Sequence, residues 1–192
     1  MPITTGIFSS EANFEDRMVT DLSVLATRVE HLKGIGLKVV LTSGSFDLVH
    51  LGHVKYLEEA KKQGDVLIVG VDSDEKIRRR KGPDRPMVGQ DERTHMLAYQ
   101  RPVDIIVLKD VAHAKWALIE IVRPDVLVLS EDHGYSQADL KKLEKVCGEI
   151  TVLERQWTTT TSERIRTMLM NLADRLSVEI PNVVDEILKG KR

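Results

Sequence analysis

The sequence predicts a single α/β domain in which helices flank a parallel sheet of five strands. Three observations lead there. Five short apolar runs recur along the chain: Lys38-Val39-Val40-Leu41, Asp65 to Val71, Val103 to Leu108, Asp125 to Leu129 and Glu149 to Leu153. Segments with helical spacing separate them, and such alternation implies parallel pairing with right-handed crossovers. Polar clusters follow several of the runs, at Thr42 to His53, at Asp72-Ser73-Asp74 and at Ser130 to Tyr135. They fall at the carboxyl edge of the sheet, where open α/β sheets bind ligands.

Taken in order, residues 1 to about 19 have no period and read as an extended arm. Thr20-Asp21 starts a helix, in which Leu22, Leu25, Val29 and Leu32 recur at helical spacing before Gly34-Ile35-Gly36. That helix either covers one sheet face or contacts a second subunit. After the first strand, Val54, Leu57 and Ala60-Lys61 carry helical spacing until Gly64. The second run, Asp65 to Val71, is apolar almost throughout, as a strand buried on both faces should be. Its terminal carboxylates could hold a ribose hydroxyl, hold Mg²⁺ through water, or cap the next helix, and capping suits one of them. Lys76-Ile77-Arg78-Arg79-Arg80-Lys81 through Pro86 is a basic run. It reads either as a solvated loop or as a seat for phosphate.

Asp91 to Tyr99 is helical, with Arg93 near its start, and residues 114 to 122 form a mostly buried helix halted before Arg123-Pro124. Ser136 caps a helix from Gln137 to about Val146. Thr158-Thr159-Thr160-Thr161-Ser162-Glu163 begins another, where hydroxyls and unpaired N–H groups can hold phosphates while one hydroxyl caps the helix. Pro181 reads as a first helical residue, ahead of the basic Lys189-Gly190-Lys191-Arg192. The organisation is an arm and helix over 1–37, a central domain over 38–173 and a helical tail over 174–192.

At 192 residues the chain can bury a substantial core. A net charge of −2 with 4% aromatic residues provides no basic field for nucleic acid, so no nucleic-acid partner is expected. The single Cys147 excludes an internal disulfide and fits a reducing compartment. The first residues do not form a signal peptide, and no apolar run approaches membrane length. The expectation is a cytoplasmic protein with no membrane partner.

The most informative stretch is Gly44-Ser45-Phe46-Asp47-Leu48-Val49-His50-Leu51-Gly52-His53, where a strand turns into a helix. A helix N-terminus presents unpaired N–H groups and partial positive charge, which suits an anion. Imidazoles at His50 and His53 add donors, and Gly52 lets a phosphate approach the backbone. Neither a Walker loop nor a Gly-x-Gly-x-x-Gly occurs, so side chains must share the grip on phosphate. A metal site would need a third ligand, and no His-Glu-x-x-His is present, so no metal-ligating residue is assigned.

This stretch resembles the nucleotidyltransferase superfamily marked by His-x-Gly-His, matching Gly-x-Phe-Asp-x-x-His-x-Gly-His at every defined position. The resemblance implies a Rossmann-like domain that joins a nucleotidyl group from an NTP to a phosphorylated acceptor and releases pyrophosphate. It implies His50 and His53 as catalytic residues and Mg²⁺ as the cofactor neutralising the triphosphate. Ser45, Phe46, Asp132, Thr159, Thr160 and Thr161 would bind nucleotide; Lys81, Asp72 and Arg93 would serve the acceptor. The chain is similar to the heptose 1-phosphate adenylyltransferase branch at Lys81-Gly82 with Arg85-Pro86, and at Val71-Asp72-Ser73-Asp74, where those enzymes have Val-Asn-Ser-Asp. Those enzymes carry Lys-Gly-Gly-Asp-Tyr where this chain has Leu129-Ser130-Glu131-Asp132-His133. ATP and a sugar phosphate are therefore the expected substrates. A CTP-dependent enzyme for glycerol phosphate or another phosphoalcohol is the alternative, and a non-catalytic nucleotide-binding regulator is the alternative of another class. A homo-oligomer, specifically a dimer, is the expected assembly.

Overall fold

In the computed structural model, residues 6–9, 12–154 and 161–189 are described. The elements are α1 (Phe14–Arg17), β1 (Met18–Val19), α2 (Leu22–Gly34), β2 (Val39–Gly44), α3 (Leu51–Lys61), β3 (Val66–Asp72), α4 (Asp74–Lys81), α5 (Gln90–Ala98), β4 (Ile105–Lys109), α6 (Ala117–Val122), β5 (Val126–Ser130), α7 (Gln137–Leu143), β6 (Glu149–Leu153) and α8 (Thr161–Lys189). They divide into two compact units, 1–157 and 158–192, and α8 passes without interruption through position 174.

The first unit is a Rossmann-like α/β domain with an all-parallel sheet in the order β1-β4-β3-β2-β5-β6. The sheet has six strands rather than the expected five. The sixth comes from the stretch read as an extended arm: Met18 and Val19 pair with Ile106 and Val107 at the edge. Two residues carry no readable period, and the pairing exists only because β4 offers an open edge.

Alternate residues of each central strand feed two cores. Val39, Leu41, Val66, Ile68, Ile105, Val107, Leu127 and Leu129 point to the face covered by α2, α6 and α7. Val40, Leu67, Val69, Val71, Ile106, Val126 and Val128 point to the face holding Leu57 and Ala60 of α3 and Leu97 of α5. Helix α2 buries Leu25, Val29 and Leu32 against the first face and so covers its own sheet. Half of the basic run is helical, because Ser73 caps α4 by accepting from Lys76 N, while Glu75 pairs with Arg78 and Arg79. No carboxylate caps it.

One irregularity positions the site. Strands β2 and β3 pair over six residues, from Val39 to Gly44, whereas β2 and β5 pair only at Val40–Val126 and Leu41–Leu127. The chain runs outward in opposite directions from this boundary, so a crevice opens there at the carboxyl edge. The divergence strips Val128 O of a ladder partner. Thr42 Oγ1 donates to it at 2.9 Å and Tyr56 Oη at 3.2 Å, and the two hydroxyls lie 2.6 Å apart. Thr42→Val removes a buried donor at the mouth of the crevice, and about 1–3 kcal/mol of unfolding free energy should be lost in urea titrations. An unchanged midpoint would show that Tyr56 alone satisfies the carbonyl.

Candidate active site

The loop from β2 to α3 is a tight turn built around its own side chains. Phe46 and Leu48 adopt left-handed φ values of 49° and 53°, a conformation that non-glycine residues hold only where their surroundings impose it. The imposing contacts are visible. Phe46 is buried in the second core, and a Cβ on Gly44 would meet its ring at 3.0 Å. Asp47 is buried too, accepting from Met87 N and Val88 N and pairing with Arg85 at 2.8 Å. This carboxylate therefore pins the 85–88 loop, which contains a cis Arg85–Pro86 bond, to the turn before the histidines.

His50 caps α3, its Nδ1 accepting from Gly52 N at 3.1 Å, while His53 Nδ1 accepts from His50 N at 3.3 Å. Each Nδ1 is thus an acceptor, which leaves the proton of a neutral ring on Nε2. The rings sit 4.0 Å apart between centroids, and Phe46 flanks His53 at 5.6 Å. Burial pulls the His53 pKa down to about 4, with help from the His50 and Lys81 charges and against the Asp47 carboxylate. His53 is therefore a neutral N–H donor throughout the physiological range.

Arg93 is wholly buried and its donors are spent on protein. Nη1 donates to Ser45 O, Nη2 to Asp72 O and Asp74 Oδ1 at 2.8 Å, and Nε to Val88 O at 3.0 Å. It clamps the ends of β2 and β3 to the 85–88 loop. The acceptor contact expected of it gives way to a positioning role, because no face of its guanidinium reaches solvent.

The crevice between β2 and β5 is lined by Ser43, Gly44, Asp72, Arg80, Lys109, Ile119, Leu127, Leu129, Ser130, His133 and Tyr135, around about 490 Å³ of empty volume open to solvent. Asp72 is almost fully buried, with Oδ2 3.0 Å from Arg80 Nη2 and Oδ1 3.4 Å from Lys109 Nζ. Arg80 also donates to Ser45 Oγ at 2.7 Å, which links this cluster to the histidine turn. Burial lowers the Lys109 pKa against the pull of Asp72. Burial, then the charges of Arg80 and Arg85, lowers that of half-buried Lys81. Gly70 makes the packing possible, since a Cβ there would strike Lys109 Cδ and Ser43 Oγ at 2.7 Å.

Of the residues named from sequence, Ser45, Phe46, His50, His53, Asp72, Lys81 and Arg93 gather at this edge. Asp132 lies in the exposed loop after β5, next to His133, whose Nδ1 accepts from Tyr135 N at 2.9 Å. Thr159 and Thr160, and the side chain of Thr161, lie outside the described residues. Sequence reasoning missed Asp47, Arg80 and Lys109. A lysine ending an otherwise apolar strand was the available signal for Lys109. Among the described residues no cluster of three or more His, Cys, Asp or Glu side chains could hold a metal ion.

A parallel sheet with a histidine pair at a helix tip beside its switch point places the chain among the Rossmann-like α/β domains. The chain belongs to the cytidylyltransferase-like family, whose model matches residues 41–174. It is 39% identical over 156 residues to the bifunctional protein HldE of Geotalea uraniireducens (strain Rf4), covering 79% of this chain and 32% of that one. The HldE of Geobacter sulfurreducens is 47% identical over 118 residues, covering 62% and 24%. The chain thus spans a third or less of the length of these relatives. A lipopolysaccharide core biosynthesis protein from Thermoplasma volcanium GSS1 shares 31% identity at a TM-score of 0.54, over 65% of this chain and 100% of that one. A pantoate-beta-alanine ligase from Francisella tularensis, at 16% identity and a TM-score of 0.55 over 74% of this chain and 68% of that one, shares the fold.

The depressed His53 pKa has a stability consequence. The unfolded ring protonates near pH 6.5 and the folded ring only near 4, so the unfolded state binds more protons between those values. Stability should fall as pH drops through that window, by about 2 kcal/mol at pH 5 relative to pH 7 from this ring alone. His53→Gln should flatten that part of the profile in urea titrations at the two pH values. An unaltered slope would place the titrating group elsewhere.

Proposed function

We propose that this domain transfers a nucleotidyl group from an NTP, with ATP preferred, to the phosphate of a sugar phosphate, heptose 1-phosphate being the first acceptor to test. The observation that carries the reading is the paired imidazoles at the tip of α3, each with Nδ1 bonded to backbone and its proton on Nε2. An acceptor phosphate oxygen attacks the α-phosphorus; the new P–O bond forms as the bond to the β-phosphate breaks, and pyrophosphate leaves with the electron pair. The acceptor is already anionic, so no general base is needed, and positioning with charge stabilisation suffices. His50 and His53 donate to the α-phosphate oxygens as charge shifts onto them.

Ser45, Phe46, Asp132 and the Thr159-Thr160-Thr161 run serve the nucleotide in this reading, and Lys81 receives phosphate charge. Asp72 and Lys109 face the acceptor's hydroxyls and anionic group. Support for an acceptor site in the crevice comes from the departures from the heptose pattern. Of these, Asp72, Leu129, Ser130 and His133 line that one space, whereas Glu131 does not. Mg²⁺ is the cofactor of this reading and neutralises the triphosphate. A cytoplasmic location and a homodimeric assembly go with this reading. No described helix is long and apolar enough to cross a membrane.

The test is pyrophosphate release measured for four NTPs against a panel of sugar and polyol phosphates. ATP with a sugar phosphate should give the highest kcat/KM. His53→Ala should lower kcat by about a hundredfold or more. Asp72→Asn should shift KM for the acceptor and leave KM for the NTP alone. CTP far outrunning ATP would overturn the adenylyl assignment, and release from no pair would overturn the enzymatic reading.

A further inference from the structure

Helix α8 carries a line of large apolar side chains open to solvent: Leu169 is 61% exposed, Leu172 53%, Leu176 43%, Ile180 56%, Val183 53% and Ile187 56%. Their spacing lays them along one face of the helix as a single continuous stripe. Counting outward from Leu176, apolar residues fall four, seven and eleven positions away in both directions: Leu172 and Ile180, Leu169 and Val183, Ile165 and Ile187. The line therefore repeats every eleven residues and is also its own mirror image about Leu176. An eleven-residue repeat keeps a straight seam at about 3.67 residues per turn and favours a right-handed coil of paired helices.

We propose that α8 is a dimerisation helix, its apolar seam covered by the α8 of a second copy of this chain running antiparallel, with Leu176 against Leu176. The mirror symmetry selects this occupant. Two copies related by a two-fold axis through Leu176 set Leu172 across from Ile180, Leu169 across from Val183 and Ile165 across from Ile187, so every residue of the seam meets one of its own line, while exposed Met168, Met170, Val178 and Val184 lie off it. Isologous interfaces have this self-complementary form.

Charge selects the direction. Arg175 and Glu179 are both exposed and share one flank of the seam. In antiparallel pairs like flanks meet, so Arg175 of one copy lies between Glu179 of the partner subunit and Arg175 of the partner subunit, and the two glutamates bracket the two arginines along that flank. In parallel pairs that flank meets Ala173, Ser177 and Val184, which offer no charge. Pro181 lies inside the helix without interrupting the seam. It falls on the outer side, and the carbonyl it leaves without a helical partner belongs to exposed Ser177. The helix holds balanced acidic and basic residues, so it lacks the basic face of a helix that lies on anionic lipid.

Sedimentation equilibrium on the full chain tests the proposal and is indifferent to the catalytic reading. The wild type should be a dimer at micromolar concentration, and Leu176→Glu should be a monomer. Arg175→Glu and Glu179→Arg should each weaken the dimer by about tenfold, and the double charge reversal should restore it. These two are surface changes, so they keep the test alive should Leu176→Glu disturb folding. A wild type that stays monomeric at roughly 100 μM, a dimer indifferent to Leu176→Glu, or a double reversal that restores nothing would each overturn the proposal.

Discussion

Two strands that should lie side by side part company after Leu41 and Leu127, and the site depends on that parting. A sheet whose ladder continued between β2 and β5 would close its own carboxyl edge. Here the edge is open, yet the Val128 carbonyl is not abandoned, because Thr42 and Tyr56 supply the donors that the ladder withdrew. An unpaired backbone acceptor in that position would cost about as much as a lost hydrogen bond. Those hydroxyls therefore lower the cost of the split. They come from β2 and from α3, the two elements that flank the histidine turn.

The second constraint is electrostatic. Asp47, Asp72 and Arg93 are buried at one edge, and buried charges are tolerated only when paired and hydrogen-bonded. Each is used to tie a loop to a strand end. Arg93 joins β2, β3 and the 85–88 loop; Asp47 joins that loop to the turn before α3; Asp72 holds Arg80 and Lys109 against the crevice. Such pairs contribute little net stability, but removing one partner strands the other in a dry place. Their effect is to fix where the backbone and the cations stand before any ligand arrives, which is the condition under which dipoles and charges stabilise a transition state efficiently.

Much of this could be read from the residues alone. Four of the five long strands announce themselves because most of their residues are buried on both faces, and the helix-tip histidines because a strand, a ten-residue motif and a helix coincide. What escaped was whatever arises only when distant segments meet. Met18 and Val19 become a strand by pairing with β4, which nothing local encodes. Helix α4 was obscured because only Ile77 is buried, leaving no apolar period to detect. Pro181 looked like a helix start because proline is favoured there, whereas on an exposed helix side a single missing N–H is tolerated. The convergence of Asp72, Arg80 and Lys109 joins the ends of β3 and β4 to α4, and no spacing rule connects positions so placed.

The state of His53 follows from the same geometry. A ring exposed to water would be a mixture of imidazole and imidazolium near neutrality, and its cationic form would attract any anion, product pyrophosphate included. Burying the ring against Phe46 and beside His50 removes that ambiguity by making the charged form expensive. Fixing Nδ1 as an acceptor then leaves a single donor on Nε2. A neutral donor of fixed tautomer grips a phosphate oxygen through direction more than through bulk charge. Its grip therefore strengthens most when the oxygen becomes more negative, as it does while a nucleophile adds to phosphorus. Burial, usually a cost for a polar side chain, here turns a pH-sensitive base into a neutral donor of fixed direction.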